Sequence, residues 1–207
     1  SNIQIKDEQT TPIFSVVEKS EDSVNLSSTN LTDIILTKKI ALVEDSHQLH
    51  VTNNISNNSN QNIYVRNYEI ISRDNNSTAS LMLPTYTGSA YYDSEDKFSK
   101  ISFDDMLENE QAIRAQDSWI SMIEHYFFSA WLPTNAQTKT IYTNHENGVF
   151  TIGSTSQYDA VEPGQNYEFK SVMFVGPKLQ SEISDLATGL DLTVDYGVLT
   201  FLSAPLF

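Results

Sequence analysis

The chain has 207 residues, 39% of them hydrophobic, which is enough for one domain with a real core. Its 12 Lys and Arg stand against 27 Asp and Glu, a formal net charge of -15. That balance excludes the basic face that nucleic acid binding needs and disfavours direct adhesion to anionic lipid. Cys is absent, so disulfides and thiolate metal sites are excluded, and the absence fits an oxidising envelope compartment. No apolar run reaches the length of a membrane span, and no signal-peptide pattern occurs.

The first half is polar, with short β-branched runs between turn residues. Phe14 to Val17, Leu31 to Leu36, Ile40 to Val43 and Leu49 to Val51 have strand length and no helical periodicity, so they predict antiparallel sheet. Asn53 to Gln61 reads as a turn or loop by composition. Sequons such as Asn54-Ile-Ser56 and Asn76-Ser-Thr78 are the chance matches expected of an Asn- and Ser-rich stretch. Ile63 to Ile71 predicts a longer strand. Ile63, Val65, Asn67, Glu69 and Ile71 share one of its faces, a mixture that suits a partly covered sheet. Leu81 to Pro84 predicts another strand, closed by its proline.

In the middle, Thr87 to Tyr92 leads into an acidic segment in which Lys97-Phe98 and Lys100 to Phe103 alternate charge and aromatic residues. The surrounding carboxylates argue against base stacking, and a twisted edge strand is expected there. Trp119 to Pro133 carries apolar residues at helical spacing, yet also reads as two strands joined at Glu124-His125. Periodicity leaves both open, and the aromatic load places the stretch in the core either way.

Thr140 to Thr143, Val149 to Gly153 and Tyr167 to Val175 predict strands, with turns at Asn147-Gly148 and Glu162-Pro-Gly164. Gly176-Pro177 is expected to stop the last strand and open a helix. Leu179, Ile183, Leu186 and Leu190 recur on one narrow helical face, with Gly189 as its C-terminal cap. Leu190 to Phe207 ends the sequence on an apolar note, without charge after Asp195. Gly197 to Phe207 is expected to form an interfacial helix, with a thin stripe of Gly197, Thr200 and Ser203 and an apolar remainder; the alternative is simple packing on the sandwich.

No phosphate-cradling loop and no metal-binding helix motif occurs, so no cofactor, metal or catalytic residue is assigned. His47 and His50 stand three apart in a strand-like stretch, on opposite faces, which is wrong for two ligands of one metal. His125 beside Glu124 could form an acid-base pair only if both pointed one way, and adjacent turn residues point apart.

Trp119-Ile-Ser-Met-Ile-Glu-His-Tyr-Phe127, running on to Ala130-Trp131-Leu-Pro133, resembles the YidC family of bacterial membrane protein insertases. Thr87 to Tyr91, Glu162 to Gln165, Phe174 to Pro177, Leu190 to Gly197 and Pro205 to Phe207 match in order. The resemblance is dense from Thr87 onward and weak before it. It implies the large first periplasmic domain of the Gram-negative members, an all-β supersandwich of mutarotase-like type with a short C-terminal helical linker. By it, Trp119 to Pro133 is strand, turn, strand, and the family's opening strands are expected to be missing. The expected layout is a sandwich over 1–177 and a C-terminal helix and interfacial linker toward a membrane span over 178–207.

The implied role is non-enzymatic: partner binding and positioning outside the bacterial inner membrane, in the periplasm, for an insertase and chaperone acting alone or with the Sec translocon. The implied partners are SecDF, SecYEG and nascent membrane proteins. The expected membrane or partner contacts are Tyr196, Leu199, Phe201, Leu202, Pro205, Leu206 and Phe207. The expected packing residues of the linker helix are Leu179, Ile183, Leu186 and Leu190. The alternative from a different class is a carbohydrate-binding or mutarotase-like sugar-converting sandwich, its Tyr and Trp rings stacking on sugars.

Overall fold

The computed structural model describes residues 1–74, 86–135 and 137–194. The first half forms β1 (Asn2–Ile5), β2 (Phe14–Lys19), β3 (Ser23–Ser28), β4 (Ile34–Leu42), β5 (Gln48–Asn57) and β6 (Ile63–Asp74). Then come β7 (Gly88–Asp93), β8 (Lys97–Ile101), α1 (Phe103–Glu108), β9 (Ala112–Gln116), β10 (Trp119–Ile123) and β11 (Phe127–Leu132). The last part holds β12 (Thr138–Glu146), β13 (Val149–Ser156), β14 (Asp159–Val161), β15 (Asn166–Pro177), α2 (Gln180–Ile183) and a 3₁₀ turn (Leu190–Thr193). The strands build two antiparallel sheets, one nine-stranded in the order β2-β3-β4-β5-β15-β11-β10-β7-β8. The other is six-stranded, β1-β6-β13-β12-β9, with β14 also paired to β6. The β-supersandwich expected of the chain is the fold observed.

The aromatic stretch from Trp119 folds as β10, a turn and β11, paired Ile120 to Trp131 through Ile123 to Phe128. Both Trp119 and Ile120 are buried, on opposite faces of one strand, because this hairpin lies in the middle of its sheet with both sides covered. The Asn147-Gly148 signal is the β12–β13 turn, where both residues take positive φ, 51° and 80°. Strand twist favours that turn, and Gly accepts it without Cβ strain.

Several expectations are corrected. Leu31 to Leu36 and Ile40 to Val43 are not two strands; β4 runs unbroken from Ile34 to Leu42. The turn-like Thr37-Lys38-Lys39 stays extended. Lys38 points inward, where its Nζ donates to the Ser1 carbonyl at 2.8 Å and lies 5.3 Å from the Phe14 ring centre. Asn53 to Gln61 is loop only from Asn58, because Asn53 and Asn57 are buried residues of β5. The Asn57 amide donates to the Gln61 and Val161 carbonyls, both at 2.8 Å, and so replaces solvent.

Lys100 to Phe103 is strand only to Ile101. Ser102 then caps α1 in a reciprocal capping box with Asp105, a Ser-x-x-Asp signal that the reading as an edge strand overlooked. Gly176 and Pro177 do not stop β15; they pair with Phe128 and Phe127. The single helix expected from Pro177 to Leu190 is replaced by the one-turn α2 and the 3₁₀ turn, with Gly189 left-handed at φ 73° between them. No side chain caps either piece, and the segment is held by the sheet beneath it rather than by its own helicity. Leu81 to Pro84 and the tail from Gly197 lie outside the described residues.

Two apolar clusters fill the space between the sheets. One gathers Val51, Ile71, Ile120, Trp131, Ile141, Phe150 and Ile152 with the α1 residues Phe103 and Met106. The other gathers Ile3, Ile5, Leu36, Ile55, Val65, Val161 and Phe169. A third cluster lies on the far face of the nine-stranded sheet, where Ile183 and Leu190 cover Trp119, Ile123, Phe128, Ala130 and Phe174. The C-terminal segment is therefore a lid on the sheet's outer face, and Trp119 fastens it by donating Nε1–H to the Thr188 carbonyl at 3.0 Å.

Candidate functional site

Between the two inter-sheet clusters runs a belt of buried polar groups. It follows from alternation along each strand. On β5, Asn53 lies between Val51 and Ile55; on β6, Asn67 and Glu69 lie between Val65 and Ile71; on β15, Ser171 follows Phe169. Asn53, Asn67, Glu69, Ser154, Ser171 and Lys139 are all buried. The mixed face of β6 is thus covered, not partly exposed as expected, because each polar member meets a partner from the opposite sheet or a neighbouring strand.

Glu69 is the centre of the belt. Its carboxylate accepts from Lys139 Nζ at 2.8 Å and Ser154 Oγ at 2.9 Å on one oxygen. The other oxygen accepts from Ser171 Oγ at 2.7 Å and Asn67 Nδ2 at 3.3 Å. Burial opposes ionisation of Glu69, but the Lys139 ammonium and the converging donors outweigh it and hold the carboxyl below its ordinary range. A carboxylate that already accepts four hydrogen bonds has no lone pair free to take a substrate proton.

A cleft of about 480 Å³ opens beside this belt, lined by Asn67, Glu69, Lys139, Gln137, Thr134 and the β15 residues from Tyr167 to Val172, among others. Its origin is local. β11 pairs with β15 from Phe127–Pro177 to Leu132–Val172. β11 ends there, and Pro133 follows outside the strand. Upstream of Val172, β15 keeps β5 on one flank and, among the described residues, has no strand on the other. The hydrogen-bond phase is fixed at the paired end: Val175 N–H donates to His47 across β5, and Lys178 N–H donates to Tyr126 across β11. Even-numbered residues of β15 therefore turn their backbone toward the β11 side. Glu168 and Lys170 face the gap, and there only the Lys170 carbonyl has a partner among the described residues, the Thr134 hydroxyl at 3.2 Å. At the cleft wall the Tyr167 hydroxyl donates to Asp159 at 2.8 Å, and burial together with that carboxylate pushes its pKa up to about 12.

The residues singled out in the sequence lie elsewhere. Tyr196, Leu199, Phe201, Leu202, Pro205, Leu206 and Phe207 fall outside the described residues. Ile183 and Leu190 are fully buried in the lid and Leu186 is partly buried, whereas Leu179 is 47% exposed. At the β10–β11 turn Glu124 reaches Arg73 at 3.2 Å, and the His125 ring meets Tyr126 edge-on at 4.1 Å. His47 and His50 part company. His47 Nδ1 meets Glu182 Oε2 at 2.8 Å beside α2, while His50 lines the cleft. Among the described residues no group of three or more His, Asp or Glu is placed to hold a metal ion, and no helix is long and apolar enough to cross a membrane. Reasoning from sequence saw Asn67 and Glu69 on one face but found neither Lys139 nor Ser171, which come from strands 70 and 102 residues away.

Comparison with known proteins gives the chain its relatives. Among solved structures it is similar to a galactose mutarotase related enzyme from Lactobacillus acidophilus, with a TM-score of 0.53, 9% identity and coverage of 78% of this chain and 70% of that one. An α-galactosidase from Geobacillus stearothermophilus matches with a TM-score of 0.55 and 9% identity, over 90% of this chain and 29% of that one. At such identity the likeness is one of fold alone. By sequence, "Membrane protein insertase YidC" of Methylobacillus flagellatus is 41% identical over 79% of this chain and 30% of its own length. Its namesake in Pseudoalteromonas atlantica is 36% identical over 93% of this chain and 36% of its own length. The chain thus spans about a third of the curated relatives it matches. The family described as YidC periplasmic domain matches residues 5–207, well upstream of Thr87, where the residue-by-residue resemblance thinned. With residues 5–207 matched and relatives named as insertases 41% and 36% identical to it, the chain belongs to the YidC periplasmic domain family.

Proposed function

We propose that this chain serves, in the periplasm, as the non-catalytic extramembrane domain of an inner-membrane protein insertase that assists membrane proteins alone or with the Sec translocon. The observation that carries the reading is the family match across residues 5–207, together with relatives named as insertases that are about three times longer. In this reading the domain binds and positions partners, SecDF and SecYEG among them, while nascent membrane proteins are handled by the membrane part. The state of Glu69 supports a non-enzymatic role, since this buried carboxylate beside the cleft is consumed by structural hydrogen bonds. The domain boundary belongs to the proposal as well: a sandwich over 1–177, and over 178–207 a connector whose tail contacts the membrane surface or a partner through Tyr196 to Phe207.

The test is complementation. In cells depleted of their own insertase, the full-length parent protein is expected to restore growth. Versions with Phe201→Asp or Leu206→Asp are expected to lose substrate insertion while the isolated domain keeps its thermal midpoint. Photocrosslinkers placed along Tyr196 to Phe207 are expected to capture SecDF or SecYEG. Full growth with residues 1–207 removed would defeat the reading, and sugar turnover by the isolated domain would favour the carbohydrate class instead.

A further inference from the structure

The interruption of the nine-stranded sheet beside β15 has the form of a receptor for one more strand. Three observations converge there. Glu168 and Lys170 present backbone groups toward the gap, and apart from the Lys170 carbonyl these have no partner among the described residues. An unpaired strand edge binds another extended backbone with regular spacing, a geometry that rigid small molecules do not reproduce. The gap opens into the 480 Å³ cleft, within the roughly 300–1,000 Å³ typical of ligand pockets. Inside it, Lys139 Nζ uses one of its three protons on Glu69, and Gln137 has no hydrogen-bond partner among the described residues.

We infer that the stretch of β15 from Asn166 to Ser171 is a binding site for an extended, uncharged polypeptide segment, which pairs with Glu168 and Lys170 and drops alternate side chains toward Lys139 and Gln137. The occupant is uncharged because Glu69 and Lys139 neutralise each other, so an ionised side chain entering the cleft would have no counterion. Residues opposite Phe169 and Ser171 point inward and are small and polar, matching the spare donors of Lys139 and the amide of Gln137. Those opposite Glu168 and Lys170 point outward and are unrestricted. The place is left open because the pairing of β11 with β15 ends at Leu132 and Val172. This goes beyond the insertase reading and stands or falls separately from it, because it is read on the chain alone rather than in cells.

The probe is acetyl-Thr-Val-Thr-Val-Thr-amide titrated into the 207-residue chain and followed by amide NMR. Saturable shifts centred on Glu168 and Lys170 are expected, with slowed hydrogen exchange at those two amides. A dissociation constant of about 1 mM or below is expected from a few net backbone hydrogen bonds. N-methylating the peptide at the residues that pair with β15 is expected to weaken binding about tenfold or more. Lys170→Pro removes the N–H facing the gap and spares the ladder to β5, which uses odd-numbered residues, so it is expected to abolish binding. Should that variant not fold, the N-methylated peptide probes the same backbone pairing on the unaltered chain. Absence of saturable shifts, shifts centred elsewhere, or indifference to N-methylation overturns the inference. Maltose shifting the same amides where the peptide does not would make the cleft a saccharide site and overturn it equally.

Discussion

Glu69 is ionised inside the sandwich because Lys139, Ser154, Ser171 and Asn67 replace the water it gave up. Removing one member of such a pair leaves a buried charge without compensation. Glu69→Ala is therefore expected to destabilise the domain by about 3–5 kcal/mol in urea denaturation. Changing both Glu69 and Lys139 to Met is expected to cost far less than Glu69→Ala alone, since the desolvation penalty disappears along with the attraction. The pair also fixes a pH dependence. The Glu69 carboxyl is held below its ordinary 4.5 in the folded chain, so the unfolded chain takes up the proton first as acid is added. Its contribution is fully present above that ordinary value and is lost as pH falls through the folded one. Between about pH 5 and about pH 3, the urea midpoint of the natural sequence is expected to fall more steeply than that of the double Met variant. An equal fall in both would place the acid sensitivity in other carboxylates.

At the scale of elements, the lid formed by α2 and the 3₁₀ turn separates two residues that one helical face had grouped together. Ile183 is fully buried against the sheet and Leu179 is 47% exposed. Ile183→Ala is expected to cost about 2–5 kcal/mol through lost burial and a cavity, whereas Leu179→Ala is expected to stay within about 0.5 kcal/mol; calorimetry on the two variants distinguishes lid from free helix. Ser102→Ala is expected to cost about 1 kcal/mol by removing the cap of α1. Local chemistry made much of the architecture readable. Asn147-Gly148 marked its turn, short β-branched runs marked the strands, and the resemblance decided between hairpin and helix for Trp119 to Phe127. What stayed hidden was of two kinds. Polar residues such as Asn53 and Asn57 read as loop because composition cannot show that a carbonyl 104 residues away, that of Val161, will accept from Asn57. The lid kept a helical period in its sequence but lies flat on a sheet, where tertiary contact overrides periodicity.

Seen as a whole, the molecule places its polar belt and its lid on opposite faces of one sheet, β15 contributing Ser171 to the first and Phe174 to the second. The candidate cleft could not be read from the sequence, since it depends on the sheet order that sets β15 between β5 and β11 and on where that pairing ends, at Leu132 and Val172. The same arrangement gives the domain two built-in optical reporters. The chain has two Trp. Trp131 lies in the inter-sheet core, its Nε1–H on the Ile70 carbonyl at 3.1 Å; Trp119 lies under the lid with its Nε1–H on the Thr188 carbonyl. Fluorescence from Trp131→Phe protein reports the lid alone, and from Trp119→Phe protein the sandwich alone. If a partner or membrane lifts the C-terminal segment, the emission of the first is expected to shift to the red while the second stays constant. A single titration would then tell displacement of the lid from opening of the sandwich, without any added label.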